Sequence, residues 1–358
     1  MIQNRVDSLL STMKENDIPQ ILITDPSSIF YFTGEWIHPG ERMLALYISL
    51  EKENKIFINE LFPVTADLGV EKIWFKDTDD SVKLLSNYID NNKTIGIDKN
   101  WPSKFLLKMM DYKIASSYVN GSDLVDYIRQ KKDNKEKDLM RNASKLNDDA
   151  ISMLINNISN AKNEEDMAVE LTSIYKDLNT SGHSFDPIIA FGKNGADPHH
   201  ETDNSTLKPG DSIIVDIGCI KDSYCSDMTR TVFYKEASSK AKEVYNTVLE
   251  ANKKAIAKVK PGAKFSEIDL AARDYIESKG YGKYFTHRTG HSIGIDVHET
   301  GDVSSVNHET LEPGMIFSVE PGIYIPNEFG VRIEDLVLVT EDGCEVLNSY
   351  PKDLKIIG

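Results

Sequence analysis

Asp211-Ser-Ile-Ile-Val-Asp216-Ile-Gly-Cys-Ile220 and Tyr224-Cys-Ser-Asp227-Met-Thr-Arg-Thr-Val-Phe-Tyr234 are two apolar runs of strand character, with Lys221-Asp222-Ser223 between them. With Lys221 and Asp222 as the central residues of a two-residue turn, Asp216 falls directly opposite Asp227. Two carboxylates facing each other across a ladder repel and destabilise the sheet. A divalent cation between them removes that repulsion, so the stretch predicts a hairpin built around a metal.

The pattern recurs downstream. Met315-Ile-Phe-Ser-Val-Glu320 and Gly330-Val-Arg-Ile-Glu334 flank the turn-rich Ile325-Pro-Asn-Glu-Phe329. A hairpin centred on Asn327 sets Glu320 opposite Glu334. A single pair of this kind reads as a solvated strand face. Two such pairs, both inside apolar strands, read as one oxygen-rich site. Either pairing would be undone by a slip of one residue.

Length and charge narrow the class. At 358 residues the chain is long enough for two domains. A net charge of −16 argues against nucleic acid or an anionic membrane as partner. No apolar run approaches the roughly 20 residues that cross a bilayer. Ile2, Val6, Leu9, Leu10 and Met13 recur at helical spacing without a basic start, which reads as a helix and not a signal peptide. Three cysteines without CxxC spacing fit a reducing cytoplasm.

Residues 1–128 alternate strand and helix patterns and predict an α/β domain. Ile21–Thr24, Met43–Leu50, Lys55–Asn59, Lys72–Phe75 and Thr94–Asp98 read as strands, and Asp80–Ile89 and Ser103–Met110 as helices. The charged stretch Arg129–Asp138 marks the junction and opens a long helix, with Leu139, Ala143, Leu146, Ala150 and Leu154 on one face. Residues 129–358 then mix helices near 164–179, 238–258 and 265–279 with the two hairpins, an α+β pattern.

Five of the eight histidines cluster beside the acidic strands: His199-His200, His287 and His291, and His298. Imidazole with carboxylates suits Mn²⁺, Co²⁺, Zn²⁺ or Fe²⁺, and two such ions sharing carboxylates activate water for hydrolysis. For His291 and His298 to face one site, the strand between them must end or bulge, since a regular strand puts residues seven apart on opposite faces. Cys225 shares a strand face with Asp227, though a buried structural cysteine is the simpler reading. His183 and His308 read as ordinary polar residues.

These residues carry a resemblance. His287-x-x-Gly-His291-Ser-Ile-Gly, Glu320-Pro-Gly and Arg332-Ile-Glu334-Asp, preceded by Asp216-x-Gly and Asp227-Met-Thr-Arg, resemble the dinuclear-metal peptidase family of prolidase, aminopeptidase P and methionine aminopeptidase. The resemblance implies a pita-bread catalytic fold of two pseudo-symmetric halves, behind an N-terminal domain of the creatinase/prolidase type. By position, Asp216 would bind one metal through both oxygens, Asp227 and Glu334 would bridge the two, and His291 and Glu320 would complete the ligands of the second metal. It further implies hydroxide held between the metals as nucleophile, with Glu320 moving protons. His199, chosen over His200 on spacing, would stabilise the developing oxyanion, and His298 would stand near the scissile carbonyl. Arg332 would support the carboxylates, with Tyr324 nearby. Ser292 departs from the family's commoner glycine and would narrow the pocket without touching ligation.

Thr33-Gly34-Glu-Trp-Ile-His38-Pro39-Gly-Glu41-Arg42 resembles a loop that prolidases of one group lend to a neighbouring subunit, which implies a homodimer. A dipeptide's free carboxylate calls for a bidentate partner, for which Arg42 or Arg288 would serve. A surface ion pair with Glu41 is the plain alternative for Arg42. His38 is a turn residue beside proline or a substrate contact. The expected activity is hydrolysis of Xaa-Pro dipeptides with two divalent ions, manganese first. The alternatives are an aminopeptidase acting on longer peptides with proline second, and a metal-free binding homologue.

Overall fold

The computed structural model describes residues 1–158 and 162–358, and the chain divides into two compact units, Met1–Arg129 and Gln130–Gly358. In the first unit the amphipathic start becomes α1 (Gln3–Glu15), which buries Val6, Leu9 and Met13. After β1 (Gln20–Ile23), α2 (Pro26–Thr33) begins with proline in its first turn, and the Asp25 carboxylate accepts the Ser28 N–H. Then come β2 (Ala45–Ser49), β3 (Lys55–Asn59), β4 (Glu71–Phe75), α3 (Ser81–Leu85), β5 (Thr94–Ile97), α4 (Ser103–Asp111), β6 (Ser117–Asn120) and α5 (Ser122–Gln130).

The strands form one mixed sheet in the order β4-β3-β2-β1-β5-β6. Its core joins Leu22, Tyr47, Phe57 and Ile95 to Val82 and Leu85 of α3 and Met109 of α4. Helix α3 is shorter than the expected Asp80–Ile89. The Ser86 hydroxyl donates to the Lys83 carbonyl at 2.6 Å, a local bond that competes with continuing the helix.

The second unit opens on α6 (Asn134–Asn157), the long helix expected after the charged junction. Asp133 and Glu136 close a reciprocal capping box at its start. Then follow α7 (Glu164–Asp177), β7 (Ile188–Phe191), β8 (Ser212–Ile217), β9 (Ile220–Lys221), β10 (Tyr224–Cys225), β11 (Met228–Tyr234), α8 (Ser239–Ile256), α9 (Phe265–Ser278), β12 (Gly290–Ser292), β13 (Glu299–Val303), β14 (Ile316–Val319), β15 (Gly322–Ile325), β16 (Phe329–Arg332), β17 (Asp335–Val339), β18 (Cys344–Val346) and β19 (Ile356–Ile357).

Two sheet-and-helix halves result. One packs α6 and α7 against the sheet β19-β11-β8-β7, through residues such as Ile151, Leu171 and Val215. The other packs α8 and α9 against β13-β12-β14-β17-β18, through Val248, Ile268, Phe317 and Val337. This is the pita-bread arrangement.

The first hairpin corrects an expectation. Asp216 pairs with Thr229, not with Asp227, and Lys221 pairs with Tyr224. The turn is Asp222-Ser223, with φ of 50° and 71°, because a hairpin turn of this kind needs positive φ at both central residues. Moving the turn by one residue moves every partner by two. Since side chains alternate with period two, Asp227 keeps to the face of Asp216.

The second hairpin follows its expected register. Ile325 pairs with Phe329 around a tip where Asn327 has φ of 63°. Gly322 pairs with Arg332 and Val319 with Asp335, so the ladders on both sides set Glu320 level with Glu334 across a break in the strands.

Candidate metal centre

The site forms where both hairpins lose their regular ladder. Asp216 sits at the end of β8, Asp227 just before β11, Glu320 just after β14 and Glu334 just before β17, while His291 is the middle residue of β12. Gly290 precedes it because a Cβ there would collide with the Ser318 carbonyl. The strand carrying His291 ends at Ser292, and the β12–β13 register shifts between His291 and Ser292. That break lets the His298 ring meet the His291 ring at 4.3 Å between centroids.

One atom each from Asp227, His291 and Glu334 lie within 4.8 Å of one another, in a group that could hold a metal ion. His291 Nε2 stands 3.7 Å from Asp227 Oδ2 and 3.6 Å from Glu320 Oε1. Its Nδ1 faces the Ser292 carbonyl at 3.2 Å, which makes Nδ1 the donor and leaves the Nε2 lone pair toward the carboxylates. Burial pushes the imidazole down to about 3, so it is neutral at physiological pH.

Asp216 Oδ1, Asp227 Oδ1 and Glu334 Oε1 are buried without a hydrogen-bond partner among the described residues. Burial, reinforced by the neighbouring carboxylates, pushes Asp227 and Glu334 well above the carboxylate range, and burial pushes Glu320 up to about 7. Orphaned buried anions are costly. A donor set of hard oxygens with one imidazole lone pair fits divalent cations that accept both.

Four residues brace the carboxylates. Arg332 donates through Nη2 to Asp216, through Nη1 to the Tyr324 hydroxyl at 2.9 Å, and through Nε to the Thr229 hydroxyl at 3.1 Å. His287 Nδ1 donates to the Arg288 carbonyl at 2.6 Å, so its Nε2 accepts from the Tyr324 hydroxyl at 2.8 Å. Burial pushes His287 down to about 4 and Tyr324 up to about 12, which keeps both neutral in this chain of bonds. The Thr229 hydroxyl donates to Glu334 Oε2 at 2.8 Å.

The four carboxylates, His291, His287 and Arg332 line a cavity of about 580 Å³ together with His199, Arg288, His298 and the apolar Phe185, Ile188 and Val297. His200 faces elsewhere, with Nε2 2.7 Å from Glu164 Oε2. Arg288 is half-exposed and paired with Asp302. Cys225 is buried, with its thiol on the Ile295 carbonyl at 3.2 Å, and burial raises its pKa. In the first unit, Arg42 forms a two-pronged pair with Asp77 at 2.8 and 2.9 Å and a second pair with Glu41 at 3.0 Å. His38 is exposed and stacks on Trp36.

Sequence reading did not assign Thr229, and it quoted His287 without a role. Thr229 carried no signal of its own, because the expected register put Asp227 where Thr229 stands. For His287, the i, i+4 relation to His291 inside a glycine-bracketed segment was the available clue.

Residues 138–341 match the model of metallopeptidase family M24, and residues 5–131 match the creatinase/prolidase N-terminal domain. The Bacillus subtilis (strain 168) protein YkvY is 34% identical over 363 residues, covering 99% of this chain and 100% of its own. The crystal structure of the prolidase from Pyrococcus horikoshii OT3 is similar with a TM-score of 0.90 at 31% identity, covering 98% of this chain and 99% of that one. The X-Pro aminopeptidase of Thermotoga maritima MSB8 is similar with a TM-score of 0.83 at 28% identity, covering 97% and 100%. The chain belongs to metallopeptidase family M24 and is a metallopeptidase.

Proposed function

We propose that the protein is an Xaa-Pro dipeptidase working with two divalent cations held by Asp216, Asp227, His291, Glu320 and Glu334. The observation that carries this reading is the set of three carboxylate oxygens, on Asp216, Asp227 and Glu334, that have no partner among the described residues and share one cavity with His291. The likeness to a prolidase along nearly the whole chain supports the substrate. Manganese is the first candidate, with cobalt, zinc and iron compatible with the same donors. Bound there, the ions supply a strongly nucleophilic water at neutral pH and a Lewis acid for the carbonyl.

The chain's own residues do the rest. Glu320 takes the proton of the attacking water and delivers it to the proline nitrogen as the C–N bond breaks. His199 and His298, both lining the cavity, donate toward the carbonyl oxygen as it gains charge. Phe185, Ile188 and Val297 give the proline ring an apolar wall. Arg288 exchanges Asp302 for the substrate carboxylate. A homodimer in which a second copy offers His38 and Arg42 belongs to the same proposal.

An aminopeptidase acting on longer peptides is the second reading, favoured by the likeness to the Thermotoga maritima enzyme. Rates on Ala-Pro and Ala-Pro-Ala with added Mn²⁺ separate the two. Dipeptidase action predicts that Ala-Pro is cleaved and Ala-Pro-Ala scarcely; equal rates would overturn it.

A further inference from the structure

Glu164 opens α7 and is completely buried. Its carboxylate accepts four hydrogen bonds, all from one segment of chain. Oε1 takes the Phe191 N–H at 2.7 Å and Asn194 Nδ2 at 2.9 Å, and Oε2 takes the Asp203 N–H at 3.0 Å and His200 Nε2 at 2.7 Å. The Glu164 N–H donates in turn to the Ser205 carbonyl at 3.2 Å. Between these anchors run Pro198 and His199, which line the cavity.

One atom each from Glu164, His200 and Asp203 lie within 4.8 Å of one another, close enough for an ion. Both Glu164 oxygens are already filled by N–H donors, however, so the arrangement works as a clamp. Such a clamp answers a specific need. The segment leaves β7 and returns without a ladder of its own, and a side chain on it would wander unless its backbone were pinned on both sides. His200 turns to Glu164 while its neighbour His199 faces the cavity.

We propose that Glu164 and His200 are positioning residues that hold His199 toward the substrate carbonyl. The proposal rests on the reading of His199 given above. It also explains why adjacent histidines divide their labour, one structural and one facing substrate. Misplacing a reacting group by about 1 Å can cost on the order of 100-fold in rate.

The test uses full-length, metal-loaded protein as wild type, H200A, H200Q, H199A and the double variant H199A/H200A. Amide exchange across 191–203 reads the clamp, while kcat, KM and bound metal with Ala-Pro read its effect. In H200A, exchange at Phe191 and Asp203 should quicken and kcat should fall at least about 10-fold, with KM and metal content unchanged. In H200Q, whose amide N–H can still reach Glu164, most of the rate should return. The double variant should be no slower than H199A alone, because both changes remove the same contribution. Unchanged exchange in H200A overturns the clamp. An equal loss from H200A with and without His199 overturns the positioning role. Quickened exchange in H200A beside a wild-type rate in H199A would instead remove His199 from the reaction and leave the clamp standing.

Discussion

Thr229 and Glu334 exchange two hydrogen bonds. The Thr229 hydroxyl donates to Glu334 Oε2 at 2.8 Å, and the Glu334 N–H donates to the Thr229 carbonyl at 3.1 Å. Thr229 also stands opposite Asp216 in its own ladder and accepts from Arg332. A single threonine thus ties the carboxylates of one half to those of the other.

Replacing Thr229 by valine keeps shape and removes the hydroxyl. Glu334 loses a donor and Arg332 an acceptor, and loss of such a support commonly weakens metal binding about 10- to 100-fold. T229V should show that drop in a metal titration followed by activity, and T229S should restore affinity. Unaltered affinity in T229V would remove the tie from the account.

Asp227→Asn should leave the fold in place and abolish turnover, because the neutral amide is a poor bridge for the two cations proposed above. Activity with added Mn²⁺ and a melting curve on the same sample check both halves. Near-normal turnover would defeat the bridging role.

In metal-free protein, the Glu320 carboxyl is raised to about 7 from an ordinary 4.5. Folded protein therefore holds a proton that unfolded protein releases between those two values. Stability contributed by the protonated group is intact below about pH 4.5 and is lost as pH rises to about 7. Glu320→Gln removes this dependence. Chelator-treated E320Q should be more stable than wild type at pH 8, by up to ~3 kcal/mol, and equal to it at pH 4.5. Denaturant unfolding at the two pH values measures the difference, and a gain that is the same at both would refute it.

Tyr324→Phe removes the hydroxyl that joins Arg332 to His287, leaving His287 Nε2 without its donor and Arg332 Nη1 with only the Pro198 carbonyl at 3.4 Å. A loss of about 1–3 kcal/mol in stability is expected, with kcat reduced more than KM is changed. Urea unfolding and steady-state kinetics on Ala-Pro check the pair.

Chelation should inactivate reversibly, and readdition of Mn²⁺ should restore both rate and melting temperature. At free metal 100-fold above Kd, stabilisation comes to about 2.7 kcal/mol. A melting temperature indifferent to chelator would mean that the site takes no ion.

Much of this architecture was legible because hairpins obey a period of two. The second hairpin announced its centre through Asn327, a residue that tolerates positive φ. The first had no glycine or asparagine at its tip to mark the turn, and the reading placed it at Lys221-Asp222, one residue before the observed Asp222-Ser223. The wrong choice displaced Asp216's partner by two residues yet kept the right face. His291 and His298 signalled a broken strand, which the shift after His291 supplies. Thr229, Glu164 and the clamp were illegible for a different reason. Their importance lies in hydrogen bonds spanning long sequence separations, as between Thr229 and Glu334, which no local pattern encodes.

The shared register of β14–β17 and β15–β16 gives the tip at Pro326-Asn327-Glu328 an unexpected weight. Those residues lie in the turn, away from the carboxylates, and the Glu328 side chain pairs with Lys240 at the surface. Yet adding or deleting one residue there would re-index one arm of the hairpin against the other. Glu320 would lose its place level with Glu334, and the apolar face would rotate out of the core. The tip therefore acts as a ruler: apart from Asn327, which takes the positive φ, its composition is freer to drift than its length.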